Sequence, residues 1–317
     1  MRLPPRDHLR GAVALINSRS EQLNSPYSKV LTHAVQNEVV SLDVCQTLET
    51  SLTLISQIRT SIILGHPMVP TPKVWPLSAP TSQTAGEQLV MATSGLLNLR
   101  LEWEALSSKS PQYTTEDEIL QLLSKAQDLD TRLVTWSHTV PSNWKPIPAA
   151  IIPQSVRAAG LFDGRCDCYT DVWVATTWNY YRDSRIVIQN IILSCLRMLP
   201  NHYPITNLTA TATSSALTIR SLATDICACV PFVLGSQMES VQMNPYKVEY
   251  PEAEGRRVTH AHQQTAPLVG GFFLLGYMES LCTSSFGCLN DEQIGWVKGQ
   301  MQRILQIYTF GMRVVGR

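Results

Sequence analysis

Three features of the chain predict an all-α fold. Apolar residues recur at three- and four-residue steps through the long segments, as along Ile119, Leu122, Leu123, Ala126, Leu129, Leu133 and Trp136. No segment shows the strict alternation that a half-buried strand needs. Apolar residues make up 44% of the 317 and charged residues only 16%, below the usual charged share of about 25%, which favours a large core, a covered face, or both.

The elements follow in order. Helices are expected over Asp7–Asn17, Tyr27–Leu48 and Leu52–Leu64. Five prolines between His66 and Pro80 forbid a helix and mark a linker. Gly86–Leu106 is helical again. Thr115 with Glu118 forms a capping box that starts the next helix, and Pro141 stops it. Pro146, Pro148 and Pro153 make an irregular connection. A long helix is expected over Cys168–Leu199, stopped by Pro200, and another over Thr209–Cys229, ended by Pro231. Met238–Arg257 reads as a loop that runs on to about residue 262. Pro267–Thr283 and Asp291–Arg313 close the chain as helices, the last with Asp291 and Glu292 at its positive dipole end. We expect a single α-helical domain across residues 1–317, with its Pro-rich linker at about 66–80.

Charge narrows the partners. Lys+Arg and Asp+Glu both number 25, and this balance argues against a nucleic-acid-binding surface, which shows a basic excess or stripe. No signal peptide is expected, since Met1–Arg10 carries charge and prolines and Ala12–Ile16 is too short an apolar run. Ala266–Met278 falls below the roughly 20 residues that span a bilayer, so no membrane partner is expected. The eight cysteines are expected to be reduced in an intracellular setting.

The densest chemistry lies in Asp171–Ile192, DVWVATTWNYYRDSRIVIQNII. Trp178, Tyr181, Ile188, Ile192, Cys195 and Leu199 fall on one helical stripe, with Arg185 inside it. A guanidinium there requires a carboxylate or several carbonyls, because an unpaired buried charge is too costly to keep. Arg182 and Arg185 are therefore expected to anchor this helix through ion pairs, with Asp225 or a similar carboxylate as partner. Asp171, Arg182, Asp183, Arg185 and Asp225 could be drawn as an acid–base cluster, but their helical context fits inter-helix pairs better.

Cys166-Asp167-Cys168 and Cys227-Ala228-Cys229 have one residue between thiolates where structural zinc wants two or more, and are read as core cysteines. His260-Ala261-His262 reads as a polar lead-in to the helix at Pro267. No phosphate loop, nucleophile elbow, dinucleotide fingerprint or paired-histidine zinc motif occurs. No catalytic, cofactor-binding or metal-ligating residue is assigned. Trp173, Trp178, Asn179, Tyr181, Arg182, Arg185, Asp225 and Pro231 are the candidates for structural or interaction roles.

Four segments, taken in order, resemble the C-terminal regulatory region of fungal zinc binuclear cluster transcription factors. They are AVALINSRSEQL (Ala12–Leu23), LDTRLVTWSHTVPSNW (Leu129–Trp144), VWVATTWNYYRDSRI (Val172–Ile186) and DICACVPFVLG (Asp225–Gly235). The later GGFFLLGYMES and EQIGWVKGQMQRI follow the family's closing helices. The family's DNA-binding module needs six cysteines in a short basic segment. Here the first cysteine is Cys45 and no such cluster occurs in the sequence.

The resemblance implies a regulatory domain working in the nucleus on metabolic or secondary-metabolite genes. It would act through protein partners or self-association rather than direct DNA contact, and it leaves room for a small-molecule effector. Two further readings stand beside it: a helical enzyme or accessory protein of a fungal biosynthetic gene cluster, and a truncated paralogue that dimerises with full-length factors and inhibits them.

Overall fold

Helical periodicity is realised almost everywhere that a computed structural model describes the chain, namely residues 85–199, 205–239, 247–284 and 287–307. The helices expected before residue 65 and the linker at 66–80 lie outside the described residues. The chain divides into two units, Met1–Glu87 and Gln88–Arg317, and the packing below belongs to the second. Among the described residues there are eight α-helices and three short strands. The fold is all-α in character.

The helix expected over Gly86–Leu106 is two helices, α1 (Ala85–Ala92) and α2 (Leu96–Ser108). Gly95 breaks them apart with φ of 97°, a left-handed conformation that glycine adopts without a Cβ penalty. Helix α3 (Glu116–Thr139) starts at the expected capping box. The Glu118 N–H donates to Thr115 Oγ1 at 3.3 Å, and the Thr115 N–H donates to Glu118 Oε2 at 3.1 Å. Its predicted apolar face is buried, apart from the half-buried Leu123.

The segment read as irregular carries a small sheet, which corrects the expectation of no strands. Strand β1 (Ile147–Ile151) lies between β2 (Asp167–Cys168) and β3 (Glu252–Ala253), antiparallel to both. Ile147 pairs with Cys168 and Ala149 with Ala253. Strands of two to five residues are too short to show alternation, and Pro148 hides the central one. A six-residue helix, α4 (Gln154–Ala159), follows β1.

Helix α5 (Val172–Met198) begins four residues later than expected, because Cys168 belongs to β2. Asp171 caps it, its Oδ1 accepting from the Val174 N–H at 2.8 Å. Every residue from Val174 to Ser184 is buried, so the helix is enclosed on all sides rather than along one stripe. It packs against α3, α6 (Ile205–Leu234) and α7 (His260–Ser284), while α7 also meets α8 (Asp291–Ile307).

Two prolines expected to bound helices lie inside them. Pro231 sits in the last turn of α6 and Pro267 inside α7, whose start is therefore His260. A proline near a helix end gives up one hydrogen bond where few remain to be lost, and α6 stops instead at Gly235, whose φ is 56°. Within α6, Leu208–Leu234 is long and apolar enough to cross a membrane by length and composition, and 67% of its most apolar window is buried in the helical core.

Candidate functional site

Arg185 ties α5 to α3 through an ion pair. Its Nε donates to Asp130 Oδ1 at 2.7 Å and its Nη2 to Oδ2 at 2.9 Å, a bidentate fork that matches guanidinium to carboxylate. Its Nη1 donates to the Tyr181 hydroxyl at 3.1 Å. The expectation of Asp225 or a similar carboxylate is met here by Asp130 of α3. Burial would lower the guanidinium's pKa, yet the bonds to Asp130 and the neighbouring Tyr181 hold it above its ordinary value.

Aromatic rings wall this clamp. Trp136 of α3 lies 5.2 Å from both Trp178 and Tyr181, and Trp178 meets Tyr181 edge-on at 5.4 Å. The Trp178 indole N–H donates to the Trp144 carbonyl at 2.7 Å, which fixes the chain leaving α3. Trp173, one turn earlier, is half-buried and packs on Phe273 of α7 at 5.1 Å.

Arg182 points into the other side of the core and is only 2% exposed. Its Nη1 donates to Asn179 Oδ1 at 2.8 Å, and Asn179 Nδ2 reaches Cys229 Sγ of α6 at 3.4 Å. The guanidinium lies 5.7 Å from the ring centres of Tyr169 and Trp178, a cation–π arrangement that partly replaces water. Asp225 acts on Arg182 through its field, but its oxygen is bonded by Arg165 at 2.8 Å. Arg165 also grips the buried Asp167 of β2 at 2.8 Å, so this guanidinium ties the sheet to α6.

The suggested acid–base cluster is thus dispersed. Asp171 caps α5, Asp183 is buried within the same helix, Arg185 is taken by Asp130, and Asp225 by Arg165. Pro231 belongs to the last turn of α6 and contributes shape rather than chemistry. Cys166, Cys227 and Cys229 stay protonated at neutral pH: burial pushes Cys227 up to about 12 and Cys229 up to about 11, while the hydrogen bond with Cys168 and burial raise Cys166 as well. Thiols in that state are poor nucleophiles and poor ligands. Among the described residues, no three His, Cys, Asp or Glu side chains are grouped so as to hold a metal ion.

Two buried groups at the end of α6 escaped the sequence reading. His262 is no lead-in: it lies in the first turn of α7, 1% exposed, with Nε2 at 3.0 Å from the Phe232 carbonyl. Its ring lies tilted against Phe232 at 4.2 Å and meets Tyr250 edge-on at 4.9 Å. Burial lowers its pKa to about 4, against the Phe232 bond that would raise it, so the imidazole is neutral and donates from Nε2.

Arg303 of α8 gathers the remaining carbonyls. It donates to Gly235 O at 2.7 Å, Gln237 O at 2.8 Å and Ala159 O at 3.3 Å. Its charge also complements the negative end of α6. The available signal was a guanidinium within the Val297–Gln300–Ile304 face of α8, the same anomaly that drew attention to Arg185.

No family model and no solved structure matches the chain. Over 180 residues, 54% of the chain, it is 27% identical to a protein named transcription factor dbaG from Emericella nidulans. The chain spans about 40% of that relative's length.

Proposed function

We propose that this chain is a regulatory and interaction domain of a fungal transcription regulator. The observation that carries the reading is the 180-residue similarity to a protein named a transcription factor. The distribution of charge supports it. Arg165, Arg182, Arg185 and Arg303 hold the core together, and the formal net charge of zero offers no electrostatic footprint for duplex DNA. On this reading the domain works in the nucleus, on metabolic or secondary-metabolite genes, through protein contacts or self-association, and it is not an enzyme.

Tethering tests this directly. The chain fused to a heterologous sequence-specific DNA-binding domain should raise or lower a reporter with upstream sites for that domain. A soluble, folded fusion that occupies those sites and leaves the reporter unchanged would overturn the proposal.

A further inference from the structure

The end of α2 and its connection to α3 are rich in hydroxyls: Ser107, Ser108, Ser110, Tyr113, Thr114 and Thr115. The structure sets one of them apart. Ser108 Oγ donates to the Ala105 carbonyl at 2.9 Å, Thr114 Oγ1 donates to the Ser110 carbonyl at 3.5 Å, and Thr115 Oγ1 is held in the capping box. Ser107 belongs to α2, and Tyr113 to a single 3₁₀ turn, Pro111–Tyr113. Ser110 is exposed and lies outside both. Among the described residues its hydroxyl has no hydrogen-bond partner.

The backbone around Ser110 suits the substrate groove of a kinase, which takes an extended segment. Lys109 leaves α2 extended, with ψ of 145°. Pro111 holds Ser110 extended as well, because its ring excludes the helical conformation of the residue before it. Pro111 also lacks an N–H, the property that a proline-directed kinase selects next to the acceptor hydroxyl. Among the described residues Ser110-Pro111 is the sole Ser-Pro or Thr-Pro step.

A counter-charge stands beside it. Lys109 Nζ lies 2.7 Å from Glu118 Oε1, and both side chains are 41% exposed, so this pair is weak and open to exchange. A phosphate on the adjacent residue carries about −1.5 to −2 charges, more than the single charge of Glu118.

We propose that Ser110 is a phosphorylation site for a proline-directed serine kinase, and that its phosphate takes Lys109 from Glu118. Ser110 Oγ would bond the γ-phosphorus of a nucleoside triphosphate. The bond from that phosphorus to the bridging oxygen would break, the diphosphate would leave, and the hydroxyl proton would pass to the kinase's catalytic aspartate. The product adds negative charge beside Glu116, Asp117 and Glu118 in the first turn of α3. This goes beyond the regulatory reading and stands without it.

The purified full chain, carrying Ser25→Ala and Thr71→Ala to remove the other two such steps, is incubated with ATP and a proline-directed kinase. The kinase chosen needs no basic residue three positions on, where Tyr113 stands, and is shown to be active on a control Ser-Pro peptide. Peptide mass spectrometry should place phosphate on Ser110, and Ser110→Ala and Pro111→Ala should lose it. Circular dichroism identifies folded variants, and if Pro111→Ala does not fold, Ser110→Ala decides alone. Phosphorus NMR should then show the second ionisation of the phosphate below its usual value of about 6, and Lys109→Gln should return it toward that value, since a nearby ammonium favours the dianion. A folded chain left unmodified at Ser110, or an identical titration with and without Lys109, overturns the proposal.

Discussion

Removing the Arg185 guanidinium should destabilise the core far more than its single charge suggests. Arg185→Ala deletes the fork to Asp130 and the bond to Tyr181, leaving the Asp130 carboxylate stranded between α3 and α5. Stranding one member of a buried pair costs about 3–5 kcal/mol. The two side chains retain 15% and 17% exposure, which lets some water reach the orphan, so we expect ~2–4 kcal/mol. That is a large share of the roughly 5–15 kcal/mol that keeps a domain folded. Urea denaturation followed by tryptophan fluorescence suits the measurement, because Trp136 and Trp178 stand at the clamp. The midpoint should fall, and Asp130→Leu combined with Arg185→Leu should recover most of the loss, since an apolar pair leaves no orphan charge. Asp225→Asn should cost at most about 1 kcal/mol, because its partner Arg165 is 44% exposed and screened. An unchanged midpoint for Arg185→Ala, or strict additivity of the two leucine substitutions, would refute the reasoning.

His262 should make stability pH-dependent: its folded pKa of about 4 lies below the ordinary 6.5, so its contribution is complete above pH 6.5 and is lost as pH falls toward 4. The linked loss is up to about 3 kcal/mol, and His262→Leu should flatten that part of the profile; an unaltered profile would exclude this histidine as its source. Gly235→Ala should destabilise by at least ~1–3 kcal/mol, since φ is 56° and the new Cβ would come 2.5 Å from the Glu249 carbonyl oxygen. In contrast, Gly299→Ala on α8 meets open space and should stabilise by ~0.5–1 kcal/mol; thermal melts of the two variants should move in opposite directions. Trp178→Phe loses the bond to the Trp144 carbonyl and should lower stability by ~1–3 kcal/mol in the same urea assay.

Local signals were the ones the sequence made legible. The Thr115–Glu118 box places both of its bonds within four residues, and the stop before Pro141 rests on the same short range. The need of Arg185 for a carboxylate was also readable, because its place in an apolar stripe is a local fact. The identity of that carboxylate was not: Asp130 lies 55 positions away, and the packing of α3 on α5 selects it over Asp225. Pro231 and Pro267 misled for a related reason. Proline opposes a helix interior, but tertiary burial of α6 and α7 outweighs one missing hydrogen bond. The sheet escaped because two of its strands have two residues each, and His262 because burial depends on what α6 and Tyr250 place around it.

Chromatin immunoprecipitation of the tagged chain, paired with gel shifts of the purified chain on the enriched fragments, tests the central claim most directly. A domain that acts on transcription through protein contacts should be enriched at discrete promoters yet fail to shift the same fragments alone. Absence of promoter enrichment for a soluble, folded chain, or a sequence-specific shift by the purified chain itself, would contradict the account.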